Sequence, residues 1–582
     1  MSRAFGDFQT PPGLVAAVLA RLGPVGERWP RVLEPTCGRG RFLDGLLALD
    51  PPPREILGIE IQADHARESQ AIADGAGGGV RVGVTHANLF DLDLGKTPTW
   101  TGDGPLLVVG NPPWVTNAEL GSLGSGNHPA KRNLKRANGL DAMTGAANFD
   151  LAEAVWLKVL TELADQRPTV ALLCKVAVAR AVLEHASRMG LPVASASLIK
   201  VDARVWFKAA VEACLLCVAV GPGPGWRPAP IESSCRHPES PPPLAKGGQG
   251  GVDWGDGGLE DGFDPPVSPL CKGGRASSNQ GRTPPGPGLE RIPVYESLDA
   301  REPSAAMGFV RGRLVADLDA YDRYSYADGS SRPVWRQGLK HDAAAVMELS
   351  AGDGGLRNGL GEPVAVEPGH VFPLLKGSDL ARPGAGLTAV RPARSVVVTQ
   401  RKVGDDTAGL GRSAPRLWSY LRSHADIFTK RKSSVYLGGP AFAMFGVGPY
   451  SFSPYKVAVS ALHRSPVFRA VGPAGGEPVM VDDTCYFLPC ESPEQAALLA
   501  HVLNSPGSLG LLSALNFPGS KRSVTKAALA RLDLNALLAR ADRAEWLARA
   551  GPDAERLAGR LPIWPERLEC LHGGSVTPEH LT

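Results

Sequence analysis

Leu106-Leu107-Val108-Val109-Gly110-Asn111-Pro112-Pro113-Trp114 decides how this 582-residue chain is read. Its first four residues are a continuous apolar run, the pattern of a strand covered on both faces. Asn111 to Trp114 therefore sit at a strand's carboxyl end, where open α/β sheets bind their ligands. Asn111 brings a carboxamide oxygen that accepts a hydrogen bond, and Pro112 brings a backbone carbonyl. Two prolines hold that carbonyl in place, because each fixes its own φ and the second restricts the residue before it. Trp114 offers a flat face for stacking. Two adjacent acceptors and a stacking plate match a planar group bearing an NH2. Gripping both of its hydrogens favours a more tetrahedral nitrogen. The freed lone pair can then attack an electrophile with a positive leaving group, such as a sulfonium methyl. Taken alone, the tetrapeptide suits a tight turn with a core tryptophan equally well.

The residues upstream break that tie. Glu34-Pro35-Thr36-Cys37-Gly38-Arg39-Gly40 follows the short apolar run at Val32-Leu33. Gly38 and Gly40 permit a tight strand-to-helix turn and close approach of a ligand. The third glycine of a dinucleotide fingerprint is missing, and so is the Lys-Ser/Thr of a P-loop. Glu60 follows the run Glu55–Ile59, and an acid at the second strand's end is a ribose-hydroxyl ligand in such folds. Asn88 ends a third candidate strand. Glu34, Glu60, Asn88 and Asn111 are spaced 26, 28 and 23 residues apart, about one βα unit each. Singly, Glu60 reads as a solvated acid and Asn88 as a turn residue. As a series they line up along one sheet edge.

Further strands are expected at Thr169–Leu173, Ala194–Val201 and Val211–Val220, with a helix over Phe149–Leu163 from its apolar spacing. Strands alternating with helices predict a mostly parallel α/β sheet over residues 1–220. In 221–290, 30 of 70 residues are Gly or Pro, and the Pro-Leu-x-Lys-Gly-Gly element at 243 and 269 is repeated. Such a segment cannot bury enough apolar surface to offset its ordering entropy, so it reads as a disordered insert or linker. Residues 291–582 read as a further globular region. Within them, 391–434 carries ten Lys/Arg and three Asp among aromatics, a local charge of +7 in a chain whose net charge is only +3.

These motifs closely resemble the class I S-adenosylmethionine-dependent methyltransferases, specifically the gamma-type DNA adenine-N6 methyltransferases of restriction-modification systems. The resemblance is specific over about residues 5–220 and looser over 291–540. It implies a Rossmann-like catalytic domain followed by a mixed α+β target-recognition region. It also implies S-adenosyl-L-methionine as methyl donor, no metal, and double-stranded DNA as partner, with room for a separate restriction endonuclease. Phe8-Gln9-Thr10-Pro11-Pro12 resembles the family's N-terminal donor-binding segment. Thr10 would contact the donor's methionine part, Glu34 and Gly38 its amino-acid end, with Gly40 in the same turn, Glu60 its ribose, and Asn88 its adenine amino group. The family often has Asp at that last position, which Asp91 nearby could supply. Asn111, Pro112, Pro113 and Trp114 would form the catalytic motif, where the aromatic is usually Tyr or Phe. Phe207, or else Trp206, would be the second aromatic that sandwiches a flipped base.

Flipping a base costs a few kcal/mol, which DNA-backbone contacts must offset. Arg401, Lys402, Lys430, Arg431 and Lys432 in the basic stretch, and Lys131 and Arg132 after the catalytic motif, are the candidate contacts. A solvated basic face is the plain alternative. A protein glutamine amide or an RNA base amino group poses the same chemical problem. The 17 lysines include none with an acid two residues before it, the usual magnesium-nuclease arrangement, so modification without that kind of cleavage is expected. The longest apolar run is far short of the ~18 residues a membrane span needs. The N-terminus has no apolar signal region. Nine scattered cysteines fit a reducing cytoplasm. Cys214 and Cys217, a CxxC within an apolar run, read as buried strand residues rather than zinc ligands.

Overall fold

The computed structural model describes residues 9–77, 79–115, 150–221, 287–331, 333–352, 354–382, 391–436, 438–517 and 522–542, with 544 and 548. The chain forms two compact units, residues 1–318 and 319–582. The first is built on a ten-stranded sheet. Its strands are β1 (Arg31–Glu34), β2 (Glu55–Glu60), β3 (Arg81–His86), β4 (Leu106–Gly110), β5 (Thr169–Lys175), β6 (Val193–Asp202), β7 (Glu212–Val220), β8 (Ile292–Tyr295), β9 (Ala305–Val310) and β10 (Arg313–Val315). Their order is β10-β9-β8-β6-β7-β5-β4-β1-β2-β3. Strands β1 to β5 run parallel, and β7 enters antiparallel between β5 and β6. The order reverses between β1 and β4, because β2 and β3 extend one way from β1 while β4 begins on its other side. Such a switch point opens a crevice at the strands' carboxyl ends.

The apolar runs are continuous because the central strands are covered on both faces. Every residue of β2 and β4 is buried. Helix α1 (Pro12–Leu22) buries Leu14, Val15, Val18, Leu19 and Leu22. It packs so closely on α2 (Arg41–Leu47) that a Cβ at Gly45 would stand 2.5 Å from Val15 Cγ1. Helix α3 (Ala63–Asp74) follows β2. Helix α4 (Leu151–Glu162) is buried along ten of its residues. It starts on Asp150, whose Oδ1 accepts from Ala152 N at 3.0 Å, a side-chain N-cap. Helix α5 (Val176–Met189) follows β5 and ends on Gly190 in the left-handed region. Cys214 and Cys217 are fully covered in β7, and burial pushes the Cys217 thiol up to about 12.

The expected boundaries at 220 and 291 are corrected by the sheet itself. Strand β8 pairs parallel with β6, and β9 and β10 continue outward, so the first unit closes at Leu318. The return is invisible in the sequence because these strands have only three to six residues and follow a long Gly/Pro-rich segment.

The second unit is mixed α+β. One sheet joins Arg336–Gln337, Cys485–Cys490, Tyr455–Ser460 and Arg469–Val471, all antiparallel. A six-stranded sheet is antiparallel except where Val371–Leu375 meets Met480–Val481. Helices Pro493–Leu503 and Pro506–Leu515 each begin with serine as N-cap and proline at the first position, which needs no backbone N–H there. Arg531 closes the unit with a two-pronged ion pair to Asp328, at 2.8 and 2.6 Å.

Gly221 N donates to Pro192 O at 2.6 Å, and a Cβ on Gly288 would stand 2.5 Å from Ala194 C and 2.7 Å from Val193 O. Gly221 and Gly288, on either side of 222–286, therefore both lie against the start of β6. Replacing 222–286 with about eight Gly/Ser residues should leave melting temperature and activity near wild type, because closure entropy depends weakly on loop length. Extending the deletion through 290 removes fully buried Leu289 and should yield insoluble or destabilised protein, measurable by thermal denaturation.

Candidate active site

The crevice is built around a turn that only glycine can make. Gly38 and Gly40 have φ of 54° and 77°, in the left-handed region. A Cβ on Gly40 would stand 2.9 Å from Ile72 Cδ1 and 3.0 Å from Ser69 Oγ. Gly40 thus lies behind the cleft wall, packed on α3. Gly38 lines the cleft, together with Thr10, Glu34, Glu60, Asn88, Asn111, Pro112 and Pro113. The Glu60 carboxylate at the end of β2 fastens the turn. Its Oε2 accepts from Gly38 N at 2.9 Å and its Oε1 from Gln62 N at 2.7 Å. Ser69 Oγ donates to Gly38 O at 2.7 Å from the other side.

Glu34, 3% exposed, ends β1 in the same cleft. Burial, and then the neighbouring Glu60 charge, hold its carboxyl well above the usual carboxylate range, against a hydrogen bond from the Leu43 backbone. Its Oε2 is buried without a hydrogen-bond partner. Gly110 passes directly behind it, where a Cβ would lie 3.3 Å from Glu34 Cγ.

Packing of α1 on α2 brings Thr10 to the catalytic strand. Asn111 Nδ2 donates to Thr10 Oγ1 at 3.2 Å, which fixes the orientation of the carboxamide. Trp114 is only 6% exposed, and its Nε1 donates to Leu173 O at 3.4 Å. Phe207 meets it edge-on, with centroids 5.1 Å apart and planes at 68°. Trp206 instead lies over Gly13. The two facing rings are therefore Trp114 and Phe207. They touch each other and leave no base-wide slot, so the expected sandwich is closed in this structure.

Other expectations are modified. Asn88 Oδ1 caps its own turn, accepting from Phe90 N at 3.1 Å. Asp91 is exposed and is not among the cleft-lining residues. Gln9, from the N-terminal segment that includes Thr10, also lines the cleft, as do Arg41, Gln62, His65 and Leu151, to which the sequence reading gave no role. Lys131 and Arg132 lie outside the described residues. In the second unit Lys402, Lys430 and Lys432 reach the surface. Arg401 is exposed but engaged: its guanidinium lies 4.4 Å from the Phe452 ring centroid and donates to Gly369 O at 3.2 Å. Arg431 corrects the phosphate-contact expectation most clearly. It stacks 3.7 Å from the Tyr436 ring and donates to Ala443 O at 2.7 Å and Phe428 O at 3.1 Å. Those bonds make it an internal brace. Among the described residues no His/Cys/Asp/Glu group is arranged to hold a metal ion.

Glu34 yields a stability prediction. Its folded-state carboxyl is raised above the ordinary value of 4.5, so between these two values the folded chain holds more proton than the unfolded chain. Stability contributed by this group therefore falls as pH rises through that window. Glu34→Gln should leave the melting temperature of the unliganded protein little changed below the ordinary carboxylate value. At pH 8 it should raise it by on the order of a few degrees. A lowered melting temperature at pH 8 would contradict the assignment.

No family model matches the chain. It is 31% identical over 542 residues to the type II methyltransferase M.NspV of Nostoc sp., covering 92% of this chain and 97% of that protein. Its fold aligns with the type IIL restriction-modification enzyme MmeI, solved in complex with DNA, at a TM-score of 0.41 and 13% identity, over 97% of this chain and 73% of that one. It also aligns with a type I restriction-modification methyltransferase subunit from Streptococcus thermophilus, at a TM-score of 0.28 and 13% identity, over 37% and 45% of the two chains. Sequence identity at the first of these levels, across nearly the whole of both chains, establishes kinship: this chain belongs to the type II methyltransferases of restriction-modification systems, S-adenosylmethionine-dependent enzymes that methylate DNA.

Proposed function

We propose that the chain is a gamma-type enzyme that methylates the N6 amino group of an adenine flipped out of double-stranded DNA. The observation that carries this reading is Asn111-Pro112-Pro113-Trp114 at the end of β4, oriented by Thr10 and backed by Glu34. The residues fit the donor. Glu34 presents a buried oxygen without a partner, suited to an ammonium, and Gly38, at φ 54°, lines the cleft beside it without a side chain. Thr10, Glu34 and Gly38 would hold the donor's amino-acid end. Glu60 would hold its ribose, since each carboxylate oxygen accepts more than the one amide bond it already has. Asn88 would face its adenine. When bound, S-adenosylmethionine supplies a methyl group on a positively charged sulfur.

The chain's own residues do the rest. Asn111 Oδ1 and Pro112 O accept the two hydrogens of the target amine and draw its lone pair out of the ring. They are held before the substrate arrives, Asn111 by Thr10 and Pro112 by its own ring and the next. Preorganised acceptors of this kind need no rearrangement as charge develops. Trp114 stacks on the base, and Phe207 must swing from its edge-on contact to admit it. Lys402, Lys430 and Lys432 are the proposed phosphate contacts. Methylation-sensitive long-read sequencing of DNA from cells expressing the chain tests the reading. It should report N6-methyladenine within one short motif, and unmodified DNA would overturn it.

Asn111→Ala should reduce methylation by about a hundred- to a thousandfold, as when a preorganised group is removed from an active site. Donor affinity, measured by calorimetry, should fall far less. Trp114→Phe should keep measurable turnover. Trp114→Ala should lose more, since base–aromatic stacking contributes about 1–3 kcal/mol. Replacing Lys402, Lys430 and Lys432 together by Ala should cut the salt dependence of DNA affinity, lowering the log–log slope by about 3. Arg431→Ala should instead lower the melting temperature and leave that slope nearly unchanged.

A further inference from the structure

The donor is a zwitterion at its amino-acid end. Its ammonium and its carboxylate branch from one α-carbon, so the groups that meet them must be neighbours. Glu34 offers a buried oxygen to the ammonium, but the Glu60 charge close by repels a carboxylate. Two backbone amides of the glycine turn are already committed. Gly38 N donates to Glu60 Oε2 at 2.9 Å, and Gly40 N donates to Cys37 O at 2.8 Å. Arg41 is the single Lys or Arg that lines the cleft among the described residues. Its guanidinium makes no ion pair or hydrogen bond among them, whereas Arg39, two residues earlier, pairs with Glu68 at 3.5 Å.

Local structure puts Arg41 beside Glu34. Helix α2 is pinned by Phe42, Leu43 and Leu46, all buried, and Arg41 is left exposed at its start. The Leu43 backbone hydrogen-bonds the Glu34 carboxyl. Arg41 lies two residues earlier on the same helix, about 3 Å along its axis. Helical side chains lean toward the helix start, which here is the Gly38–Gly40 turn. A guanidinium fork matches a carboxylate with two parallel N–H bonds. We propose that Arg41 binds the donor's α-carboxylate while Glu34 takes its ammonium. Held at both charged groups, the amino-acid end fixes the direction in which the sulfonium methyl points. The assignment rests on the reading of this cleft as the donor site.

Calorimetry with two ligands tests the assignment without any turnover. S-adenosylhomocysteine carries both the ammonium and the carboxylate, and its decarboxylated analogue keeps only the ammonium. Wild type, Arg41→Gln and Arg41→Lys are titrated with each. Arg41→Gln should bind S-adenosylhomocysteine about tenfold more weakly, the lower end of what a hydrogen bond to a charged group contributes, because Arg41 is exposed. It should bind the decarboxylated analogue no more weakly than wild type does, and its unliganded melting temperature should be unchanged. Arg41→Lys should recover part of the loss. Equal weakening toward both ligands, or no weakening toward S-adenosylhomocysteine, would overturn the Arg41 assignment while leaving the donor site intact. A wild-type chain that binds neither ligand would overturn both.

Discussion

The Glu60 carboxylate accepts two backbone amides, from Gly38 at 2.9 Å and Gln62 at 2.7 Å, and the donor side of the site is fastened to it. One bond fixes the glycine turn after β1 and the other fixes the turn after β2. Two adjacent strand ends are thereby tied by one buried charge. A charge-assisted bond to a backbone amide is shorter and stronger than a neutral one, so the turn is held before any ligand arrives. The same charge has a cost next door. Burial first, and then this charge, hold the Glu34 carboxyl well above the usual carboxylate range.

The catalytic strand is set by a second fastening, Asn111 to Thr10 at 3.2 Å. Thr10 comes from a segment about a hundred residues upstream, and only the packing of α1 on α2 brings it there. Motif spacing could place Glu34, Glu60, Asn88 and Asn111 at one sheet edge, because strand period and crossover length are regular. It could not show that Asn88 spends its oxygen on its own turn, or that Gln62 contributes an amide, since neither leaves a pattern in residue type.

The strands that were legible are the ones buried on both faces. β2 and β4 are continuous apolar runs because no residue in them meets solvent. Strand β3 is an edge with exposed ends and was located only through Asn88. Strands β8 to β10 were missed because short edge strands need few apolar residues, and one of them carries Pro293. Charge was legible only as a sum. The run 391–434 is basic, yet Arg431 spends its donors on carbonyls and its guanidinium on Tyr436. A braced arginine and a surface lysine look alike in a sequence, and only the second can reach an anion. Trp114 shows the same ambiguity, being at once a packed indole bonded to Leu173 O and the plate beside the catalytic asparagine.

The central claim is that Asn111 and Pro112 present two acceptors to an exocyclic amine of adenine in DNA. The direct measurement is to incubate the purified chain with genomic DNA and S-adenosylmethionine carrying a deuterated methyl group. The DNA is then digested to nucleosides and analysed by mass spectrometry. The account predicts that the label appears as N6-methyladenine. Label on a cytosine, or in co-incubated RNA or protein with none in DNA, would contradict it.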